Sequence, residues 1–118
     1  MQDQIERILR RLEPFEVKDI DLIAFVTRNS YQVVFFGDHD DETFQSNEMM
    51  EEDIVDTDVI ERIYEEVSRL IRNSPDFHSD KMNNVSYNKN QGVQFRYDSA
   101  TECDRYQVMD DWIDSLPE

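Results

Sequence analysis

The sequence predicts an α+β fold: one small antiparallel sheet of four to five strands packed with about three helices, in a single domain spanning residues 1–118. Three observations predict it. "DLIAFVT" (residues 21–27) and "YQVVFF" (31–36) are runs of β-branched and aromatic residues separated only by Arg28-Asn29-Ser30, which reads as two paired strands. "DVIERIYEEVSRLI" (58–71) repeats its apolar residues at helical spacing. "VSY" (85–87) and "VQFRYD" (93–98) alternate apolar and polar around "NKNQG", a hairpin pattern with Gly92 at the tight position.

In chain order the elements read α-β-β-(β)-α-β-β-α. Ile5, Ile8, Leu9 and Leu12 follow the i, i+3, i+4, i+7 rule, so residues 2–13 form a short amphipathic helix that Pro14 stops. The two apolar runs then form strands, and their near-continuous apolarity predicts burial on both faces or a central place in the sheet. "GDHDD" (37–41) is turn chemistry, and "ETFQS" (42–46) returns as a shorter, more polar strand. An acidic connector, residues 47–57, leads to the long helix, where Asp58 and Glu61 have the spacing of a capping box. Val59, Ile60, Ile63, Tyr64, Val67, Leu70 and Ile71 give that helix its apolar face, and it ends near Asn73-Ser74 before Pro75. Residues 75–84 read as a polar loop. After the hairpin, Met109, Trp112, Ile113 and Leu116 fall on one face of a third helix that Pro117 stops.

Composition narrows the function. Hydrophobic residues at 38% and aromatics at 11% support a packed core, and two glycines leave little material for flexible linkers. A net charge of −16 repels nucleic-acid phosphates and anionic membranes and favours rapid association with a basic partner. Cys103 stands alone, so no intramolecular disulfide or cysteine-based zinc cluster can form. The charged N-terminus lacks the apolar core of a signal peptide, and no apolar run approaches the length of a membrane span. These features predict a cytoplasmic protein.

No enzyme signature is legible. His39 and His78 sit in different predicted loops and match no zinc-ligand spacing, and the two glycines are too far apart for a phosphate-binding loop. "DHDDE" (38–42) gathers carboxylates suited to a hard cation but lacks the alternation and central glycine of a calcium loop, so a solvated turn accounts for it better. A hydrolase or metal enzyme using His39 and these carboxylates is the least supported reading. Glu61 and Glu65, one turn apart on the long helix, read as surface carboxylates, with Arg69 placed to pair with Glu65.

Charge position is more informative. Residues 38–66 hold thirteen of the chain's twenty-eight acidic residues and one base, Arg62. Acid at the start of a helix complements its macrodipole, which accounts for Asp56 and Asp58. It leaves Glu48, Glu51, Glu52 and Asp53 repelling one another with no local return. Residues 1–18 and 81–105 are nearly neutral, with four bases against four acids and four against three. Localised acid fits one docking face rather than an all-round nucleic-acid mimic. The expected partner-binding residues are therefore Asp40, Asp41, Glu48, Met49, Met50, Glu51, Glu52, Asp53 and Asp56. The two methionines read equally well as core plugs or as adaptable apolar anchors.

The layout resembles a known family. A short helix, the strands "LIAFV" and "YQVVFF", the helix "DVIERIYEEVSRLI", and "GVQFRYD" before the tryptophan-bearing "VMDDWIDSL" look like the YezG-like immunity proteins. More loosely, they look like the small acidic immunity proteins of contact-dependent inhibition systems. The chain is shorter than that family's pattern and shares its layout rather than an invariant motif. The resemblance implies a cytoplasmic, non-enzymatic protein, without cofactor or metal, that neutralises one cognate bacterial toxin domain, often a nuclease. The alternative expectation is a phage or plasmid DNA mimic that inhibits a host nucleic-acid-binding enzyme. Neither nucleic acid nor membrane is an expected partner, and an exposed sheet edge permits a homodimer.

Overall fold

A computed structural model describes residues 1–99 of the chain. Its elements are α1 (Gln2–Leu9), a 3-10 segment (Arg10–Phe15), β1 (Lys18–Val26), β2 (Tyr31–His39), β3 (Glu42–Gln45), α2 (Ser46–Glu51), α3 (Thr57–Arg72), β4 (Lys81–Asn88) and β5 (Gly92–Ser99). The strands form one antiparallel sheet in the order β3-β2-β1-β4-β5. The predicted α+β class and antiparallel sheet are therefore present. The tryptophan helix expected around residues 109–116, and Cys103, lie outside the described residues.

The apolarity of β1 follows from its position, since β1 is the central strand and both its faces are buried. Leu22, Ala24 and Val26 pack with Val33 and Phe35 of β2 against the helices, while Ile23, Phe25 and Val34 occupy the opposite face with Met82. On the helical side, α3 buries Ile60, Ile63, Val67 and Ile71, and α1 adds Ile5 and Leu9. Side chains of this size stabilise by about 1.5–3 kcal/mol each when fully buried, so this face supplies most of the fold's driving force. Tyr64 ties α3 to the sheet through a tilted contact with Phe35, 5.9 Å between centroids. Its hydroxyl donates to Ser46 Oγ at 2.6 Å, and burial pushes its pKa above the usual 10.0.

Three local expectations need correction. Most of the first half of the acidic connector is helical, because α2 covers Ser46–Glu51. Glu48 has a local role there, as its carboxylate accepts the Gln45 backbone N–H at 3.0 Å and secures the start of α2. The helix closes in a Schellman motif: the Asp53 N–H bonds Met50 O, the Ile54 N–H bonds Met49 O, and Asp53 takes the left-handed conformation at φ 54°. A capping box at Asp58 and Glu61 does not form. Helix α3 begins two residues earlier than that box requires, with Asp56 at the N-cap position and its carbonyl accepting the Val59 N–H. Finally, β4 starts at Lys81, inside the segment read as a loop.

The sharpest turn follows β2. Its hairpin to β3 has a two-residue loop, Asp40-Asp41, between the paired residues His39 and Glu42. Both aspartates have positive φ, 51° and 64°, as a type I′ turn requires. At the other hairpin, Asn88 pairs with Gly92 at φ 69°, and Asn88 Oδ1 accepts the N–H groups of Asn90 and Gln91 at 3.0 and 2.7 Å.

Candidate functional site

The site begins where α1 ends. After the 3-10 segment the chain reverses through Glu16, left-handed at φ 59°, with the Glu16 N–H on Glu13 O and the Val17 N–H on Leu12 O. Strand β1 then opens with an irregular register: Lys18 opposes Asp38, but Asp21 already opposes Phe36. The extra residue is absorbed near Asp19, which is also left-handed at φ 52°. The bulge and the β2–β3 hairpin thereby face one another. Between them lies a cleft of about 720 Å³ whose carboxylates among the described residues are Glu13, Glu16, Asp19, Asp38, Asp40 and Asp41, with Lys18 as the one base among those residues.

Five non-glycine residues among those described have positive φ: Glu16, Asp19, Asp40, Asp41 and Asp53. All are acidic, and four of them line this cleft. Left-handed backbone costs a non-glycine residue roughly 1–2 kcal/mol, less for Asp, whose side chain can bond locally. Conformations of this kind gather where the surroundings impose them, commonly at functional surfaces.

The cleft rests on an apolar contact among three segments. A Cβ on Gly37 would collide with Val17 Cγ1 and come within 3.2 Å of Met49 Cε. Close approach here therefore requires glycine, and it sets the bulge, the acidic hairpin and α2 against one another. Met49 is fully buried, so of the two readings open to it the core plug is correct and the surface anchor is not. Met50 is half-buried and packs against the same core.

Of the expected partner-binding residues, the structure brings Asp40 and Asp41 into the cleft. It places Glu48, exposed, in the first turn of α2, and Glu51, Glu52, Asp53 and Asp56 on an exposed stretch around the end of that helix. Glu51, Glu52 and Asp53 stand at a helix C-terminus, where negative charge opposes the macrodipole, so local structure still does not account for them. Glu13, Glu16 and Asp19 escaped the sequence reading, and Asp38 entered it only within the "DHDDE" turn cluster. The signal available was their three-residue spacing from 13 to 19, masked by Arg7, Arg10, Arg11 and Lys18 nearby in sequence.

Other sequence candidates are not assembled into a site. Among the described residues, no three His, Cys, Asp or Glu side chains are placed to hold a metal ion. His39 Nε2 lies 3.4 Å from Asp40 Oδ2, and its ring packs edge-on to Phe44. Glu61 and Glu65 are exposed. The ion pair on that helix joins Glu66 to Arg11 at 2.5 Å, rather than Glu65 to Arg69. No described helix is long and apolar enough to cross a membrane.

Electrostatic strain extends to Asp21, beside the cleft. Partial burial, then the charges of Asp38 and Asp19, raise its pKa above the ordinary 3.8. The folded state thus holds the Asp21 proton more tightly than the unfolded chain does. Between 3.8 and the raised value, stability falls as pH rises, and the penalty persists at neutral pH. Asp21→Asn should therefore raise stability at pH 7 by a few tenths to about 1 kcal/mol. The gain should shrink as pH is lowered toward the raised pKa, where the wild-type carboxyl takes up its own proton. Urea unfolding across that range checks it, and no gain at pH 7 would show that Asp21 is adequately solvated.

No family model, curated protein or solved structure matches the chain.

Proposed function

We propose that this protein is a non-enzymatic inhibitor of the immunity type, which binds a basic domain of a cognate bacterial toxin and neutralises it from the cytoplasm. The observation that carries the reading is the cleft: six carboxylates from two chain segments, four of them on left-handed backbone that non-glycine residues disfavour. It offers a concentrated negative field and room for several lysine or arginine side chains. A nuclease domain has basic residues where phosphates bind, and a field of this sign accelerates encounter with them. The exposed acids around the end of α2 extend the same surface chemistry. An all-round DNA mimic is less well supported, because Arg7, Arg11 and Arg69 gather elsewhere on the molecule.

The hairpin separates function from folding. A type I′ turn is best served by Asn-Gly, so Asp40→Asn with Asp41→Gly should stabilise the fold by about 1 kcal/mol. The same pair removes two charges from the cleft and should weaken binding to a basic nuclease-toxin domain. Reversing Glu13, Asp19, Asp40 and Asp41 to lysine should slow association by about 10- to 100-fold and flatten its salt dependence. Reversing Glu51, Glu52, Asp53 and Asp56 in a second variant measures the contribution of the α2 stretch. Stopped-flow association at two salt concentrations reads all three variants. Unchanged rates throughout would remove acidic docking as the mechanism.

A further inference from the structure

In a chain of net charge −16, one region has the opposite sign. Among the described residues, helices α1 and α3 border a groove of about 450 Å³ whose charged side chains are Arg7, Arg11 and Arg69 against Glu66, a local excess of two positive charges. Glu66 is committed to Arg11. Arg7 and Arg69 are exposed, and among the described residues no carboxylate lies within ion-pair distance of either. Ile8 and Leu70, both half-buried, also line the groove.

Helix electrostatics explain part of this arrangement. Arg7 and Arg69 stand in the last turns of their helices, where a cation is favourable. That accounts for each residue singly, but not for their convergence with Arg11 on one groove lined by two aliphatic side chains. A planar guanidinium with paired N–H donors matches a carboxylate, and two such groups beside apolar surface match a carboxylate next to an aliphatic side chain.

We propose that the α1–α3 groove binds an acidic segment of a protein partner, seating a Glu or Asp carboxylate between Arg7 and Arg69 and a neighbouring aliphatic side chain on Ile8 and Leu70. Charge complementarity selects this occupant. The net field of the protein repels free anions at a distance, so a bare phosphate gains less here than a peptide that adds apolar contact. The groove shares no residue with the acidic cleft, so the proposal stands or falls independently of toxin binding.

The test is an NMR titration of the full-length protein with N-acetyl-Leu-Glu-Leu-amide, following the methyl groups of Ile8 and Leu70 and the arginine Nε–H signals. N-acetyl-Leu-Gln-Leu-amide and inorganic phosphate at matched ionic strength are the comparisons. The Glu peptide should shift these signals with a dissociation constant on the order of millimolar and bind at least about tenfold tighter than the Gln peptide. Arg7→Gln with Arg69→Gln should abolish that difference; both positions are exposed, and an unchanged melting temperature confirms the fold. Equal binding of the Gln peptide would overturn the role of the carboxylate. Phosphate binding as tightly as the Glu peptide would overturn the role of the aliphatic surface. Absence of shifts with any probe would remove the site.

Discussion

Met49→Ala should destabilise the protein by about 3 kcal/mol, lowering its melting temperature by roughly 10 °C, whereas Met50→Ala should cost less than about 1 kcal/mol. The two residues are adjacent and chemically identical, so position alone makes the difference. Met49 is fully buried and reaches Gly37, between the bulge of β1 and the acidic hairpin. Its truncation leaves a cavity beneath the cleft that a glycine backbone cannot fill. Met50, one position on, is only half-buried at the margin of the core. Equal costs for the two variants in urea or thermal unfolding would show that α2 is not seated as described. Because the cavity lies under the cleft rather than on its rim, Met49→Ala should also slow partner binding without changing the cleft's charge.

That pair marks a boundary in what the sequence makes legible. Residue type placed the core wherever a long period repeated, as along α3 and β1, because burial of one face or of both leaves a pattern that needs no neighbour to read it. Helix α2 left no such trace. Six residues hold less than two turns, and the Schellman position where glycine is the usual sign is filled by Asp53. Strand β4 begins Lys81-Met82-Asn83-Asn84, polar by type at three of four positions but inside the sheet by pairing. The cleft was half legible. Charge summed along residues 1–18 cancels, yet the fold directs Glu13 and Glu16 to the cleft and Arg7 and Arg11 to the groove. A linear sum cannot register charges that the chain separates in space.

Asn83 is the case where a residue type that reads as loop is indispensable to the sheet. Its side chain is fully buried at the start of β4. Oδ1 accepts the His78 N–H at 2.9 Å, and Nδ2 donates to the carbonyls of His78 at 2.8 Å, Lys81 at 3.1 Å and Val26 at 3.1 Å. One amide thus closes the turn that enters β4 and fastens it to the central strand. Asn83→Ala should cost about 3 kcal/mol, because several buried backbone groups lose this partner together and water cannot replace it. Asn83→Asp discriminates between volume and hydrogen bonding, since it preserves the shape and the acceptor for His78 but sets a buried carboxylate against three carbonyls. The folded pKa of that carboxyl should be raised, so the variant should be at least as unstable as Asn83→Ala at pH 7 and recover as pH falls and the acid becomes a donor. Unfolding midpoints for both variants at pH 7 and pH 5 decide the matter. If Asn83→Asp were as stable as the parent at pH 7, the side chain would be solvated and the turn would be held by its backbone alone.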